Sequence, residues 1–256
     1  ACKLGGLMFF MSKGKTAEKV VKEIAPALDI VGLNYASSRY DTDVKKYPGR
    51  MMVGSETMAG DLPYNWARVK KYPQLIGDFV WSAWDYLGEA CIGDWTYYSY
   101  KGLPLLAGQG MVDITGNPLA QMAFLQVVWG MRKQPYLAVR PVNHSGERPK
   151  TGAWQFTNAI ASWNWDGYEG KKTIAEVYSD AYAVRLFLNG KKIDEKRVKN
   201  CKALFPVRYR AGTLTVVALD EKGKELSRTS LITGGRETFL RIKVDKTVLR
   251  ANGQDL

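Results

Sequence analysis

The spacing of apolar residues in the first half of the chain predicts alternating helices and strands. Amphipathic helices carry apolar side chains every three or four positions, whereas buried strands are short and continuously apolar. By these patterns, helices are predicted at residues 16–28, 63–72 and 118–131, and strands at residues 29–35, 51–56 and 75–85. Strands and helices alternate in this way in parallel β/α units, and continuously apolar strands are typical of a sheet covered on both faces. The first half is therefore predicted to be α/β.

The second half of the chain has a different pattern, in which short segments alternate between apolar and polar residues. Turn residues such as Asn189-Gly190 and the corner at 221–223 separate these segments, as in β-hairpins. Strands of this length and spacing favour an all-β sandwich of immunoglobulin size. The predicted organisation is an α/β domain at 1–132, a proline-containing linker at 133–150, a sandwich at 151–236 and the start of a further β domain at 237–256.

Composition and charge narrow the class of protein. The chain has 256 residues, 46% of them hydrophobic, with 8 Trp, 14 Tyr and 8 Phe, which excludes a disordered protein. No apolar run approaches the roughly 20 residues that a membrane span needs. The net charge of +12 would suit a polyanion, but the charges are spread along the chain and accompany no nucleic-acid-binding motif. Neither nucleic acid nor a membrane is therefore expected as a partner.

Cysteine and histidine are too scarce for several kinds of site. The three cysteines (Cys2, Cys91 and Cys201) form no C-x-x-C pair and predict neither a disulfide framework nor a zinc site. The single histidine, His144, leaves little for a metal centre or a Ser-His-Asp triad. Any chemistry is therefore expected to rest on carboxylates, with no metal ligands in this chain.

Polar and aromatic side chains follow the three predicted parallel strands. In β/α barrels, catalytic residues lie at the carboxyl ends of the strands, which meet at one face. A carboxylate beside aromatic rings suits a sugar, which presents apolar C–H faces and hydroxyl groups. Each residue type also occurs in ordinary structural positions, since a lone glutamate is commonly solvated and a lone tryptophan commonly belongs to a core. The candidates at these strand ends are Asn34, Tyr35, Glu56, Trp81, Trp84 and Asp85.

Three segments of the chain resemble one enzyme family. They read D-I-V-G-L-N-Y at 29–35, G-S-E-T at 54–57 and G-D-F-V-W-S-A-W-D-Y-L-G-E at 77–89. Together they resemble the last third of the catalytic barrel of glycoside hydrolase family 2, which includes bacterial β-galactosidases, β-glucuronidases and β-mannosidases. The resemblance continues into W-N-W-D-G and V-R-L-F-L-N-G, which are similar to the sandwich after the barrel in one β-galactosidase branch. It implies a partial (β/α)8 TIM barrel, formed by the last strands and helices, followed by an immunoglobulin-like β-sandwich.

The resemblance also implies roles for individual residues. Glu56 matches the nucleophile of the family, and Tyr35 matches the tyrosine that hydrogen-bonds, orients and stabilises that carboxylate. Trp81 matches the tryptophan that forms the floor of the sugar subsite. Four neighbours are assigned to the same substrate pocket: Asn34, Trp84, Asp85 and Glu89.

A second carboxyl group is required for this chemistry. Retaining glycosidases use two carboxyl groups about 5–5.5 Å apart, one as nucleophile and one as general acid and base. In the family that acid is the glutamate of an Asn-Glu pair on the fourth barrel strand, and this sequence contains no Asn-Glu pair. The chain is therefore expected to be a piece of a retaining exo-acting β-glycosidase that is inactive by itself.

The resemblance favours terminal β-galactosides as substrates. β-Glucuronidases of the family bind the substrate carboxylate with an Asn-x-Lys motif, and this chain has Ala107-Gly108-Gln109 at that place. β-Glucuronidase, or another glycosidase of the family, stays open as an alternative. A second alternative is a carbohydrate-binding sandwich that uses Trp154, Trp163 and Trp165. No cofactor is expected in this chain, although the parent enzyme of such a piece can use Mg²⁺ or Na⁺; the resemblance implies a bacterial source and no particular location.

Overall fold

A computed structural model of the chain describes residues 11–90, 96–152, 154–235 and 240–253. Cys2 and Cys91 lie outside these ranges, as do parts of the predicted terminal segments. Among the described residues, no helix is long and apolar enough to cross a membrane.

The first half forms a parallel sheet of three strands, as the sequence pattern predicts. The strands are β1 (Ile30–Asn34), β2 (Met51–Met58) and β3 (Leu75–Trp81), in the order β1-β2-β3, and both pairings are parallel. Three helices connect and cover them: α1 (Lys15–Ile24), α2 (Tyr40–Lys46) and α3 (Leu62–Lys71). Short 3-10 helices lie at Ala25–Ala27, Ser37–Arg39, Ala59–Asp61 and Gly88–Ala90. The sequence pattern missed α2, which is too short and too polar to show helical periodicity.

The helices cover one face of this sheet. Val31 and Leu33 of β1 pack with Met52, Leu75 and the fully buried Tyr40 in the core between sheet and helices. On the other face, large apolar side chains are exposed among the described residues; they are Ile30, Met51, Ile76 and Phe79. The strands therefore have the composition of a sheet buried on both faces, while the described part of the chain covers only one of them.

A long connection of loops leads from β3 to the fourth helix, α4 (Ala120–Val128). Before it, the short strand β4 (Thr96–Tyr97) pairs with β6 (Pro149–Lys150), which follows β5 (Tyr136–Val139) and a 3-10 helix at Val142–His144. α4 is mostly buried because it packs between the parallel sheet and the second half of the chain. Phe124 of this helix stacks on Phe156 and meets Tyr178 edge-on.

The second half contains two antiparallel sheets. One has the order β10-β7-β5 and the other β12-β11-β8-β9. The strands of this region are β7 (Lys172–Tyr178), β8 (Ala183–Leu188), β9 (Lys191–Arg197), β10 (Lys202–Arg208), β11 (Thr213–Leu219) and β12 (Glu225–Ile232). Both sheets contribute to one core around Trp163, Phe205 and Tyr209, so the all-β half is a two-layer sandwich. β5 belongs to this sandwich, although its sequence lies in the segment that composition assigned to a linker.

A buried carboxylate joins the sandwich to its surroundings. Glu176 is fully buried and is bound by Arg140 at 2.6 Å, Lys202 at 3.1 Å and the hydroxyl of Tyr178 at 2.8 Å. Burial alone would raise the pKa of Glu176, but the two cations outweigh it and hold the pKa below its usual value. The charge is therefore compensated in place, as a buried ion pair requires.

Candidate active site

Three of the predicted residues meet where β1 and β2 run side by side. Asn34 pairs with Glu56 in the parallel register, and the backbone N–H of Tyr35 donates to the carbonyl of Glu56 at 2.7 Å. The hydroxyl of Tyr35 donates a hydrogen bond to Oε1 of Glu56, and Nδ2 of Asn34 donates a longer one, 3.4 Å, to Oε2. Glu56 lies within β2 rather than after it, because the strand continues to Met58. The fold thus brings together side chains that are 21 or 22 positions apart.

The surroundings of Glu56 keep Tyr35 protonated and hold the carboxylate in place. Burial, and then the hydrogen bond to Glu56, raise the pKa of the Tyr35 phenol well above its ordinary value. The phenol is therefore a permanent donor to Glu56. Glu56 is itself only half-buried, so a ligand can reach it. An accessible carboxylate that is oriented by neighbouring donors can act as a nucleophile.

Trp154 belongs to this site, which the sequence did not indicate. Its indole Nε1 donates a hydrogen bond to the hydroxyl oxygen of Tyr35 at 2.6 Å, across 119 positions of the chain. A phenol has one proton, and an oxygen that accepts from Trp154 is left to donate that proton to Glu56. Trp154, Tyr35 and Glu56 thus form a chain of hydrogen bonds that all run in one direction. No local motif marks such a contact, because it joins the barrel-like half to the segment before the sandwich.

We expect Trp154→Phe, made in a longer polypeptide that has glycosidase activity, to lower kcat/KM about fivefold. The change removes one neutral hydrogen bond, worth about 1 kcal/mol, and lets the Tyr35 proton turn away from Glu56. The measurement is a double-mutant cycle with Tyr35→Phe, in which Trp154→Phe has no further effect once the phenol is gone. Equal effects of Trp154→Phe in both backgrounds would show that the indole acts only through packing.

The tryptophans at the end of β3 are placed differently from each other. Trp81 is half-buried and stacks on Tyr86 with ring centroids 5.9 Å apart, and its buried Nε1 has no hydrogen-bond partner among the described residues. The peptide bond between Trp81 and Ser82 is cis. The side chain of Trp84 is 58% exposed, beyond the strand. Trp81 therefore offers both a ring face and an unsatisfied donor, whereas Trp84 offers an exposed ring.

Asp85 anchors a loop. It is buried, and its carboxylate accepts hydrogen bonds at 2.9–3.2 Å from the backbone N–H groups of Tyr86, Gly108, Gln109 and Gly110. A Cβ at Gly110 would lie 2.3 Å from the backbone nitrogen of Asp85, so only glycine allows this approach. The structure thus gives Asp85 the task of holding residues 108–110, in place of the substrate contact that the resemblance implies.

Glu89 lies apart from these residues. It is exposed on the short 3-10 helix Gly88–Ala90, and no hydrogen bond or ion pair to it is formed within the described residues. The structure therefore supplies no contact between Glu89 and the group around Glu56.

A further carboxylate on β3, Asp78, was not singled out by the sequence. It accepts hydrogen bonds from Thr57 at 3.1 Å and from Asn65 of α3 at 3.3 Å, and it lies close to the Tyr40 side chain. Burial raises the pKa of Asp78 to about 6. Its partners come from the helix-covered side of the sheet, so Asp78 is part of the support for β2 and β3. Among the described residues, Glu56 is the one acidic side chain bonded to Tyr35 or Asn34.

We expect the Asp78 carboxylate to lower the stability of this chain as the pH rises from about 4 to 7. Its pKa is raised in the folded state, so the folded protein holds a proton that the unfolded protein releases, and stability falls through this window. Asp78→Asn should remove this fall, which amounts to no more than about 3 kcal/mol. Urea unfolding at pH 4, 5.5 and 7 measures it. Parallel pH profiles for Asp78→Asn and the unchanged chain would contradict the expectation.

No metal site is evident in the part of the chain that the structure describes, since no group of three or more His, Cys, Asp or Glu side chains is suitably placed. At the place where the resemblance puts Asn-x-Lys, the backbone of Gly108 and Gln109 is bound to Asp85 instead. The side chains at 107–109 supply no cation there.

Comparisons with known proteins agree with these features. Residues 170–227 match a family model described as "Domain of unknown function (DUF4982)". Beta-galactosidase BoGH2A of Bacteroides ovatus is 27% identical over 185 residues, which are 71% of this chain and 18% of that protein. A β-glucuronidase candidate of Formosa agariphila is 28% identical over 188 residues, which are 71% of this chain and 15% of that protein. A solved structure of a glycosyl hydrolase family 2 member from Bacteroides cellulosilyticus has a TM-score of 0.73 and 31% identity, covering 92% of this chain and 31% of that one.

A β/α unit that carries a carboxylate on its sheet, followed by a sandwich, is thus shared with glycoside hydrolases. The chain is related to family 2 of these enzymes, which confirms the resemblance carried by its motifs. It spans less than a third of the length of these relatives.

Proposed function

We propose that this chain is the part of a retaining β-glycosidase that carries the nucleophile, Glu56. In this proposal the three-stranded unit is the last part of a TIM barrel, and the following sandwich is immunoglobulin-like. The observation that carries the proposal is the hydrogen bond from Tyr35 to Glu56 on two neighbouring parallel strands. Accessible carboxylates held in this way at the carboxyl ends of parallel strands are typical of catalytic sites in barrels.

The proposed reaction has two steps. The carboxylate of Glu56 attacks the anomeric carbon, the bond to the leaving oxygen breaks, and a glycosyl ester forms on Glu56. A second carboxyl group protonates the leaving oxygen and then removes a proton from the water that cleaves the ester. We place this second group outside the chain, because neither an Asn-Glu pair nor a second acid bonded to Tyr35 or Asn34 occurs in the described residues. By itself the chain is then inactive.

The tryptophans and Asn34 would contact the sugar beside Glu56. The free Nε1 of Trp81 can donate to a sugar hydroxyl, and its ring can cover an apolar sugar face. Asn34 is exposed, and it is already fixed by Ser55, whose hydroxyl donates to its Oδ1 at 2.7 Å. No cofactor takes part in this mechanism, and any Mg²⁺ or Na⁺ would be bound by the longer enzyme.

We further propose a terminal β-galactoside as the substrate. The β-galactosidase among the relatives and the missing cation at 107–109 support this choice, since a glucuronide carboxylate would be desolvated there without a partner. The β-glucuronidase candidate among the relatives keeps glucuronides as the second choice. A sandwich platform of Trp154, Trp163 and Trp165 finds less support, because Trp163 is buried in the core and Trp154 is bonded to Tyr35.

Covalent labelling tests the proposal. A longer polypeptide that contains this chain and has glycosidase activity is incubated separately with 2-deoxy-2-fluoro galactosyl, glucuronyl and mannosyl fluorides. The fluorine slows the breakdown of a glycosyl ester, so the adduct can be located by peptide mass spectrometry. We expect a galactosyl adduct on Glu56. A different sugar on Glu56 would keep the mechanism and correct the substrate, whereas an adduct on another carboxylate, or none in an active enzyme, would refute the assignment of Glu56.

A further inference from the structure

We propose that the sandwich carries a separate binding site, a groove that holds a segment of an acidic polysaccharide. The groove lies between the edge strands β9 and β10 and is also bordered by the start of β7 and the β8–β9 turn. Its volume is about 890 Å³, within the range of about 300–1,000 Å³ that is usual for ligand sites. None of the residues placed around Glu56 lines it.

The charge of the groove is the first argument. Its lining residues include no acid, and among them are five cations: Lys172, Lys191, Lys192, Arg208 and Arg210. Within the described residues, the ion pair of this set is that of Lys192 with Glu195, at 3.1 Å, while Arg208 donates to the carbonyl of Gly170. A concave surface lined by one sign of charge concentrates ions of the opposite sign.

The placement of Lys172 and Arg208 is the second argument. These residues face each other in the antiparallel register of β7 and β10. Like charges directly opposite each other on neighbouring strands are destabilising. An anion lying between them would relieve the repulsion, so the pair is better explained by a ligand than by folding.

The apolar lining selects the kind of anion. Ile174, Leu188, Ile193 and Pro206 lie between the cations, and they match the C–H faces of sugar rings. No aromatic side chain lines the groove, so it lacks the platforms on which single-stranded nucleic acids stack their bases. The choice of a carbohydrate rests on the proposed glycosidase function, whereas the expected affinity for anions does not.

Edge protection and self-association account less well for the cations of this groove. Lysines on an edge strand prevent pairing with other sheets, and this explains Lys191 and Lys192 of β9. It does not explain Lys172, because β7 is the central strand of its sheet. A second copy of this chain is an unsuitable occupant, since each copy has a net charge of +12.

Binding to matched polymers tests the proposal with this chain itself. Calorimetry at low salt compares polygalacturonate with neutral galactan, dextran sulfate with dextran, and single-stranded DNA. We expect an acidic polysaccharide to bind at least tenfold more tightly than its neutral counterpart. The two acidic polymers distinguish carboxylate from sulfate as the anionic group.

Paired variants locate the binding site. Lys172→Gln/Lys191→Gln should weaken binding about tenfold, because it removes two of the five cations. The matched control is Lys222→Gln/Lys224→Gln, which removes the same charge from the exposed β11–β12 turn. The strand register places this turn at the opposite end of the sandwich, since Leu219 pairs with Ala183 while Leu214 pairs with Leu188 near the groove. The control should change the affinity less than twofold, and urea unfolding confirms that both variants are folded.

Four outcomes would overturn the proposal. These are no binding to either acidic polysaccharide, equal binding to the neutral polymers, equal binding to DNA, and equal losses in the groove variant and the control. Dimer formation by the groove variant with unchanged affinity would assign the lysines to edge protection instead. Because the labelling of Glu56 is measured separately, failure of the groove and failure of the proposed mechanism can be told apart.

Discussion

Glu56→Gln in the active, longer polypeptide is expected to lower kcat by about 10⁴-fold or more, the loss typical for removal of an essential catalytic group. Glutamine keeps the size of the side chain and can still accept from Tyr35, but it cannot attack the anomeric carbon. Steady-state kinetics with an aryl β-galactoside measure the loss. Glu23→Gln, a matched change in the exposed part of α1, should leave kcat unchanged within twofold.

A second variant makes this result specific for the nucleophile. In Glu56→Ala, azide can occupy the vacated space and attack the anomeric carbon, so it should restore turnover and give a glycosyl azide of inverted configuration. Rescue that gives the retained configuration would assign the nucleophile to another residue. Unchanged turnover in Glu56→Gln would refute the proposed mechanism altogether.

Asp85→Asn is expected to lower the free energy of unfolding of this chain by about 3 kcal/mol or more. The Asp85 carboxylate accepts hydrogen bonds from four backbone N–H groups, and an amide would replace one accepting oxygen by a donor that faces them. A buried donor left facing other donors costs the desolvation of these groups as well as the lost bonds. Urea unfolding followed by tryptophan fluorescence measures the change.

The control for this prediction is Asp166→Asn, because Asp166 is exposed in the sandwich and makes no hydrogen bond or ion pair among the described residues. Its effect should stay within about 0.5 kcal/mol. A small effect of Asp85→Asn, equal to that of the control, would mean that the loop at 108–110 is held by other contacts. Loss of stability only in Asp85→Asn would establish the anchoring role.

Much of the barrel-like half could be predicted because its signals are local. Apolar periodicity and strand length placed β1, β2 and β3 within a few residues, since each pattern is set by neighbours along the chain. The pattern of β3 was extended four residues too far, because Trp84 and Asp85 are as apolar or as buried as strand residues although the chain has already turned. β5 was hidden by the prolines around it, and only its pairing with β7 makes it a strand.

The sequence by itself determined the β/α and sandwich halves, the family relationship and the pairing of Tyr35 with Glu56, because strand ends of parallel neighbours must meet at one edge. Only the tertiary structure brought Trp154 to Tyr35, turned Asp85 towards the loop at 108–110 and gathered the cations of three strands into one groove. These contacts join residues that are far apart in the chain. Their positions depend on how the two halves pack and how the sheets align, and no local pattern of residues encodes that.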